Sequence, residues 1–229
     1  MKTLGLLGGI SWESTAHYYQ RLNHLVAERL GGLHSAQLLI HSVDFDEIQS
    51  LQHAGDWVAC GRIFAENARN LQRGGAEGLI ICANTMHLLA DEVQAAARLP
   101  LIRVTDAVAE AARAQGIGSL ALLGTRFTME KPFYRQALEA QGLKVSTPDE
   151  PERKELHRII YDELCLGVVK PESKGYFYGV VRRLAKHGAG GAILGCTEFS
   201  LFADAAASPV PLFDTTELHS RAAVEWMLS

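Results

Sequence analysis

Gly75-Ala76-Glu77-Gly78-Leu79-Ile80-Ile81 decides the fold, because it returns 113 residues later as Gly188-Ala189-Gly190-Gly191-Ala192-Ile193-Leu194. Each copy is a glycine-bearing turn followed by a short, unbroken apolar run. A strand with one face in water alternates apolar and polar residues. An unbroken run belongs to a strand buried on both faces, as in a parallel sheet covered by helices. Outward from this stretch the pattern recurs twice more, in order. Leu4-Gly5-Leu6-Leu7-Gly8 returns as Leu120-Ala121-Leu122-Leu123-Gly124 at an offset of 116, and Leu99-Pro100-Leu101-Ile102 as Val210-Pro211-Leu212-Phe213 at an offset of 111. One match alone would mean little, since parallel strands share an apolar vocabulary. Three in order at nearly constant offset read as a duplication.

Apolar runs at 4–7, 38–42, 78–82, 101–104, 120–123, 144–146, 192–195 and 212–213 alternate with amphipathic stretches at 13–30, 57–74, 86–97, 106–115, 129–141, 151–166, 171–187, 198–206 and 215–228. This is the rhythm of βα units. The expected architecture is α/β: two pseudo-symmetric lobes, each a mostly parallel sheet flanked by helices, with an active-site cleft between them. Residues 1–100 plus 208–229 are expected to form the first lobe and 101–207 the second. Ligands of open α/β sheets bind beyond the strand C-termini, so the functional residues should follow strands.

Bulk properties narrow the partners. The 229 residues are 48% hydrophobic and carry a net charge of −4 with acidic and basic residues interspersed. That gives no footprint for nucleic acid or an anionic membrane. No apolar run approaches the roughly 20 residues that span a bilayer, and the apolar start at Leu4–Ile10, broken by Gly5, Gly8 and Gly9, reads as a buried strand rather than a signal peptide. Cys60, Cys82, Cys165 and Cys196 form no C-x-x-C pair, and the scattered histidines show no metal spacing. A small polar ligand, no metal and a cytoplasmic location are the expectations.

Extending the repeat past its strands sets Cys82-Ala83-Asn84-Thr85 against Gly195-Cys196-Thr197-Glu198, so Cys196 pairs with Ala83 and not with Cys82. Both segments enter helices, with Asn84 or Thr85 and Thr197 suited to N-capping. Such turns offer unpaired backbone N–H groups to a carboxylate. A helix N-terminus also favours a thiolate, which makes Cys196 a candidate base or nucleophile; burial as a small apolar residue is the other reading. Gly8-Gly9-Ile10-Ser11 lacks the spacing of a nucleotide loop and suits close backbone approach to a small carboxylate. Thr125 and Thr128, at the matching turn of the second half, are positioned to bind substrate or to cap a helix beginning near Met129. His87 is a candidate for tuning protonation, and Trp12 for a pocket wall or the core.

Ala83-Asn84-Thr85 with Gly195-Cys196-Thr197-Glu198, together with Gly8-Gly9-Ile10-Ser11-Trp12-Glu13-Ser14 and Leu122-Leu123-Gly124-Thr125, resemble the aspartate/glutamate racemase superfamily over nearly the whole chain. The likeness is greatest to its bacterial aspartate/glutamate or broad-specificity amino-acid racemases. The resemblance implies a homodimeric enzyme that inverts Cα of an amino acid or related carboxylic acid without pyridoxal phosphate or any other cofactor. One cysteine removes the proton from one face and a second delivers a proton to the other. It implies Cys196 as one of these, and Ile10, Ser11, Gln52, Asn84, Thr85, Thr125, Thr128, Thr197 and Glu198 as substrate-binding residues, Gln52 by a neutral hydrogen bond. The family's first cysteine should stand immediately before Asn84, where this chain has Ala83. Cys82 is one residue away and should point to the opposite face. Activity is therefore expected to be impaired or one-directional. A single-cysteine decarboxylase, a cis–trans isomerase acting through Cys196 and an amino-acid sensor are the alternatives.

Overall fold

The computed structural model describes residues 1–229, which form two compact units: Met1–Arg103 with His219–Ser229, and Val104–Leu218. The first contains β1 (Leu4–Gly8), α1 (Trp12–Leu30), β2 (Leu38–Ser42), α2 (Phe45–Ala54), α3 (Trp57–Arg73), β3 (Gly78–Ile81), a 3-10 turn (Thr85–Leu89) and α4 (Ala90–Ala97). The second contains α5 (Val104–Ala114), β4 (Ser119–Gly124), α6 (Arg126–Glu130), α7 (Pro132–Glu139), β5 (Lys144–Ser146), α8 (Glu150–Asp162), α9 (Pro171–Lys186), β6 (Gly191–Gly195), a 3-10 turn (Thr197–Leu201) and β7 (Leu212–Asp214). The last helix, α10 (Thr215–Leu228), is divided between the two units.

Both sheets are parallel, in the orders β2-β1-β3 and β5-β4-β6-β7. Their registers repeat residue for residue. Leu4 faces Gly78 in the first sheet as Leu120 faces Gly191 in the second, and Leu7 faces Ile81 as Leu123 faces Leu194. The single bridge Leu79–Leu101 is the counterpart of the Ala192–Leu212 pair between β6 and β7. The glycine of the repeated motif serves one purpose in both units. A Cβ on Gly78 would lie 2.5 Å from the Trp226 ring, and one on Gly191 2.5 Å from the Phe213 ring.

Strand residues divide between two faces as a pleat requires. In the first unit Leu7, Leu79, Ile81 and Ala83 join one buried cluster, and Leu4, Leu6, Ile80 and Cys82 the other. In the second, Ala121, Leu123, Ala192, Leu194 and Cys196 lie on one face and Leu120, Leu122, Ile193 and Phe213 on the other. Each fully buried Leu or Ile contributes about 1.5–3 kcal/mol, so the doubled burial of the strands dominates the cohesion of each unit.

Several expected boundaries differ from those observed. The run 101–104 forms no strand: Leu101 makes one bridge, Ile102 N–H donates to the Leu79 carbonyl, and Val104 already begins α5. Residues 208–218, expected in the first lobe, lie in the second, because β7 hydrogen-bonds to β6. Helix α2 lies outside the expected helical stretches; Asp44 caps its start and Gly55 closes it in the left-handed region. The stretch 86–97 is a 3-10 turn followed by α4, 129–141 is broken between α6 and α7 before Pro132, and 198–206 holds only 3-10 turns. No helix is long and apolar enough to cross a membrane.

Candidate active site

Four strand-end turns, after β1, β3, β4 and β6, carry most of the residues singled out above. In the first unit β1 runs into Gly9, whose φ of +93° lies in the left-handed region; a Cβ there would meet the Val43 carbonyl oxygen at 2.3 Å. Ser11 then caps α1, its Oγ accepting from Ser14 N–H at 3.3 Å. Thr15 ties the loop together, its Oγ1 accepting from Gly9 N–H and donating to the Ser11 carbonyl. Ser14 Oγ reaches across to the Cys82 carbonyl at 2.9 Å, which fixes the end of β3 to the start of α1.

Beyond β3 the faces separate. Ala83 shares a buried cluster with Ile10, Met86 and Ile48, whereas Cys82 packs with Leu4, Leu6, Tyr18 and Leu22 on the opposite face. Burial pushes the Cys82 thiol far above its ordinary value, leaving a neutral apolar side chain. Asn84 and Thr85 are buried at the head of the 3-10 turn, and Asn84 does not cap it through its side chain, contrary to expectation. Gln52, on α2, is 2% exposed and places its Nε2 3.0 Å from Met86 Sδ. Trp12 neither joins the core nor closes a wall within its unit; it is 67% exposed.

His87 locks this turn. Its Nδ1 lies 3.0 Å from the Ala83 carbonyl oxygen, which can only accept, so Nδ1 carries the proton. Its ring stands 5.5 Å from that of His219. His219 donates from Nε2 to the Ile102 carbonyl at 2.8 Å and accepts at Nδ1 from the Tyr18 hydroxyl at 3.0 Å. Desolvation pushes His87 down to about 3, helped by the nearby His219, and pushes His219 down to about 4. Both rings are neutral at pH 7. His219 lies 132 positions beyond His87, and no local pattern announces the pair.

In the second unit Thr125 caps α6, its Oγ1 accepting from Thr128 N–H and lying 3.1 Å from Thr128 Oγ1. The helix thus begins at Arg126 and not near Met129. Across the sheet, β6 ends at Gly195 and Cys196 follows in extended backbone, φ −141° and ψ 131°. The thiol donates to Glu198 Oε2 at 2.8 Å, and Thr197 Oγ1 donates to the same oxygen at 2.8 Å.

This geometry corrects the expected thiolate. Cys196 is 8% exposed, and desolvation, then the Glu198 carboxylate and Cys165, hold its thiol well above the ordinary range. The helix beyond is a five-residue 3-10 turn, too short to offset a neighbouring carboxylate. Thr197 binds Glu198 instead of capping. Tyr161, on α8, senses the same group: after desolvation its phenol is raised by Cys196, Cys165 and Glu198. The apolar–acidic context of Ile160-Tyr161-Asp162 gives Tyr161 no sequence signal. No group of three His, Cys, Asp or Glu side chains is arranged to hold a metal ion.

The fold and these turns define a class: a doubled parallel α/β protein with a buried cysteine and its carboxylate at the end of β6 and, at the end of β3, a matching turn with Ala83 in the cysteine's register. The chain belongs to the Asp/Glu/Hydantoin racemase family, whose model matches residues 7–223. A candidate Asp/Glu racemase from Yersinia pestis is 46% identical, with a TM-score of 0.94 and both chains covered in full. An aspartate racemase homologue from Pyrococcus horikoshii OT3 is 35% identical, with a TM-score of 0.87 and again full coverage of both. The aspartate racemase of Picrophilus torridus, 15% identical with a TM-score of 0.78 over 99% of this chain and 94% of that one, shares the fold.

Proposed function

We propose that this chain is a cofactor-independent amino-acid racemase in which Cys196 exchanges the Cα proton. The observation that carries the reading is the Cys196 thiol seated on the Glu198 carboxylate at a strand-end turn, in a chain of a racemase family. A desolvated thiol beside a carboxylate is neutral at rest. Cys196 therefore starts as a proton donor, and becomes a base when Glu198 takes its proton. In the unit that carries Cys196, Thr125, Thr128 and Thr197 supply hydroxyl groups that hold the substrate; Ile10, Ser11, Gln52, Asn84 and Thr85 are the corresponding binding residues of the first unit.

Inversion needs a second group on the other face of the planar intermediate. Position 83, the repeat partner of Cys196, offers only a methyl group, and Cys82 is neutral and packed on the opposite face of β3. Water or a hydroxyl must complete the exchange, so deprotonation through Cys196 is fast from one enantiomer and slow from the other. The same asymmetry favours a second reading, in which a malonate-type acid loses CO₂ and Cys196 protonates the carbanion on one face.

Incubating L- and D-amino acids in deuterated water, with Cα exchange followed by NMR and inversion by chiral chromatography, tests the proposal. Exchange with inversion is expected, falling by about a thousandfold in Cys196→Ala, a loss within the range for removing a proton-transfer group. Unchanged exchange in that variant would remove Cys196 from the reaction. Release of CO₂ from malonates without Cα exchange would replace racemisation by the second reading.

A further inference from the structure

Two successive carbonyl groups at the end of β3 are each held by a side-chain donor. Ser14 Oγ donates to the Cys82 carbonyl at 2.9 Å, and His87 Nδ1 to the Ala83 carbonyl at 3.0 Å. Both peptides are trans, so each C=O and the N–H that follows it point in opposite directions. Ser14 therefore sets the direction of the Ala83 N–H, and His87 that of the Asn84 N–H at the head of the 3-10 turn. His87 is itself braced. Its buried ring meets that of His219 at 61°, and the His219 ring is pinned at both nitrogens, by the Ile102 carbonyl at 2.8 Å and the Tyr18 hydroxyl at 3.0 Å. Tyr18 completes the column, its ring at 89° to His219 with 5.6 Å between centroids. All of these residues belong to the first unit, and they join α1, α10 and the end of β3 to one backbone amide. Apolar side chains would fill this space without buried polar groups to satisfy. What the column adds over packing is direction.

We propose that His87, braced by His219 and Tyr18, is a positioning residue: it aims the Asn84 N–H at the substrate and so sets affinity without taking part in proton transfer. The inference rests on the racemase reading for the presence of substrate at this turn. With the Ala83 carbonyl released, the 83–84 peptide is free to rotate and its N–H turns away. Proton exchange is assigned to Cys196, in the second unit, which this rotation leaves alone. The loss therefore weakens ground state and transition state alike, which raises KM and leaves kcat unchanged.

Single variants of the full chain test this, with L-aspartate and L-glutamate as probes, each titrated calorimetrically and followed for Cα exchange in deuterated water. His87→Leu fills the space and removes the donor. It should raise Kd and KM by about tenfold, the weight of one hydrogen bond, with kcat within about twofold of the parent. In His87→Asn the amide nitrogen stands two bonds beyond Cβ, as Nδ1 does, so it still reaches the Ala83 carbonyl and should bring KM back to within about threefold of the parent. Tyr18→Phe deletes one oxygen at the far end of the column and keeps the ring, which covers the case in which His87→Leu does not fold; KM should rise by about threefold. A change that merely loosened the fold would lower kcat through loss of folded enzyme and leave KM alone, in both His87 variants equally. That pattern, or an unchanged KM in both His87→Leu and Tyr18→Phe, would overturn the proposal while racemisation by the parent still stood. Weakened binding in His87→Leu with rescue in His87→Asn, but no Cα exchange even in the parent, would overturn the racemase reading alone. A parent protein that binds neither amino acid would overturn both.

Discussion

The turn after β3 and the turn after β6 occupy the same register of two like sheets, yet their chemistry differs. Ala83 and Cys196 each extend the strand face that carries Ile81 or Leu194, and each precedes a five-residue 3-10 turn. The first turn is held by neutral, inward hydrogen bonds: His87 to the Ala83 carbonyl, Ser14 to the Cys82 carbonyl, and Tyr18 through His219 behind them. The second is organised around one carboxylate oxygen that takes both Cys196 and Thr197. One copy is held by neutral side-chain-to-carbonyl hydrogen bonds and the other seats a thiol on a carboxylate. A duplicated fold fixes where reactive groups stand without requiring both copies to keep them.

The largest effect on this contrast should come from Glu198→Gln. Glutamine can still accept from the thiol but cannot take its proton. If Glu198 is the base, exchange falls by about a hundredfold, while the thiol's titration, read by alkylation against pH, moves down because a negative neighbour has gone. Faster exchange with a lowered titration would mean that Glu198 only suppresses the thiolate, and the second turn would lose its claim to a dyad.

A smaller effect separates the turns by acid. His87 and His219 have folded-state values of about 3 and 4, against about 6.5 unfolded. Below pH 6.5 the unfolded chain binds protons that the folded first unit refuses. Stability is complete above that pH and falls with acid until the folded values are reached, by about 1.4 kcal/mol per pH unit for each histidine. In the second unit the buried Glu163 carboxylate, accepting from Ser173 and paired with Arg158 and Lys170, is held down at about 2, so its contribution is lost only as pH falls below the ordinary carboxylate range. Hydrogen exchange near pH 5.5 should therefore expose amides of β3 and the 85–89 turn before those of β6. Equal loss in both units would show that the buried histidines do not govern the first.

The sequence made the sheets legible because strands buried on both faces read as unbroken apolar runs, and the offset of Gly78 and Gly191 carries directly into their pairing with Leu4 and Leu120. It was less informative where tertiary contacts decide. The run at Leu101–Val104 has strand composition, but a single bridge to Leu79 is all that forms before α5 begins. Asp44 and Gly55 bracket α2 with ordinary cap residues, which also occur at turns and do not by themselves mark a helix. Within the site, the position of Cys196 follows from the repeat. Its protonation does not, since that depends on how deeply the thiol is buried and on the rotamer that brings Glu198 back onto it. The pairing of His87 with His219 depends on the return of α10 and has no local trace.

The most discriminating change, though the smallest in size, is to restore the missing half. Ala83→Cys places a thiol in the register of Cys196, next to a carbonyl held by His87 rather than next to a carboxylate. Racemisation should rise by about tenfold, a gain well below the usual span of acid–base catalysis because the new thiol has no base beside it. The extra sulfur enters a packed cluster and is expected to cost about 1 kcal/mol of stability, measurable by urea unfolding. The double variant Ala83→Cys with Cys196→Ala sharpens the test. If the two turns serve opposite faces of Cα, the enantiomer that exchanges faster in deuterated water must reverse relative to the parent. Exchange with the same preference would mean that position 83 reaches the substrate from the same side as Cys196, and the repeat, though real in the sheets, would not extend to the chemistry.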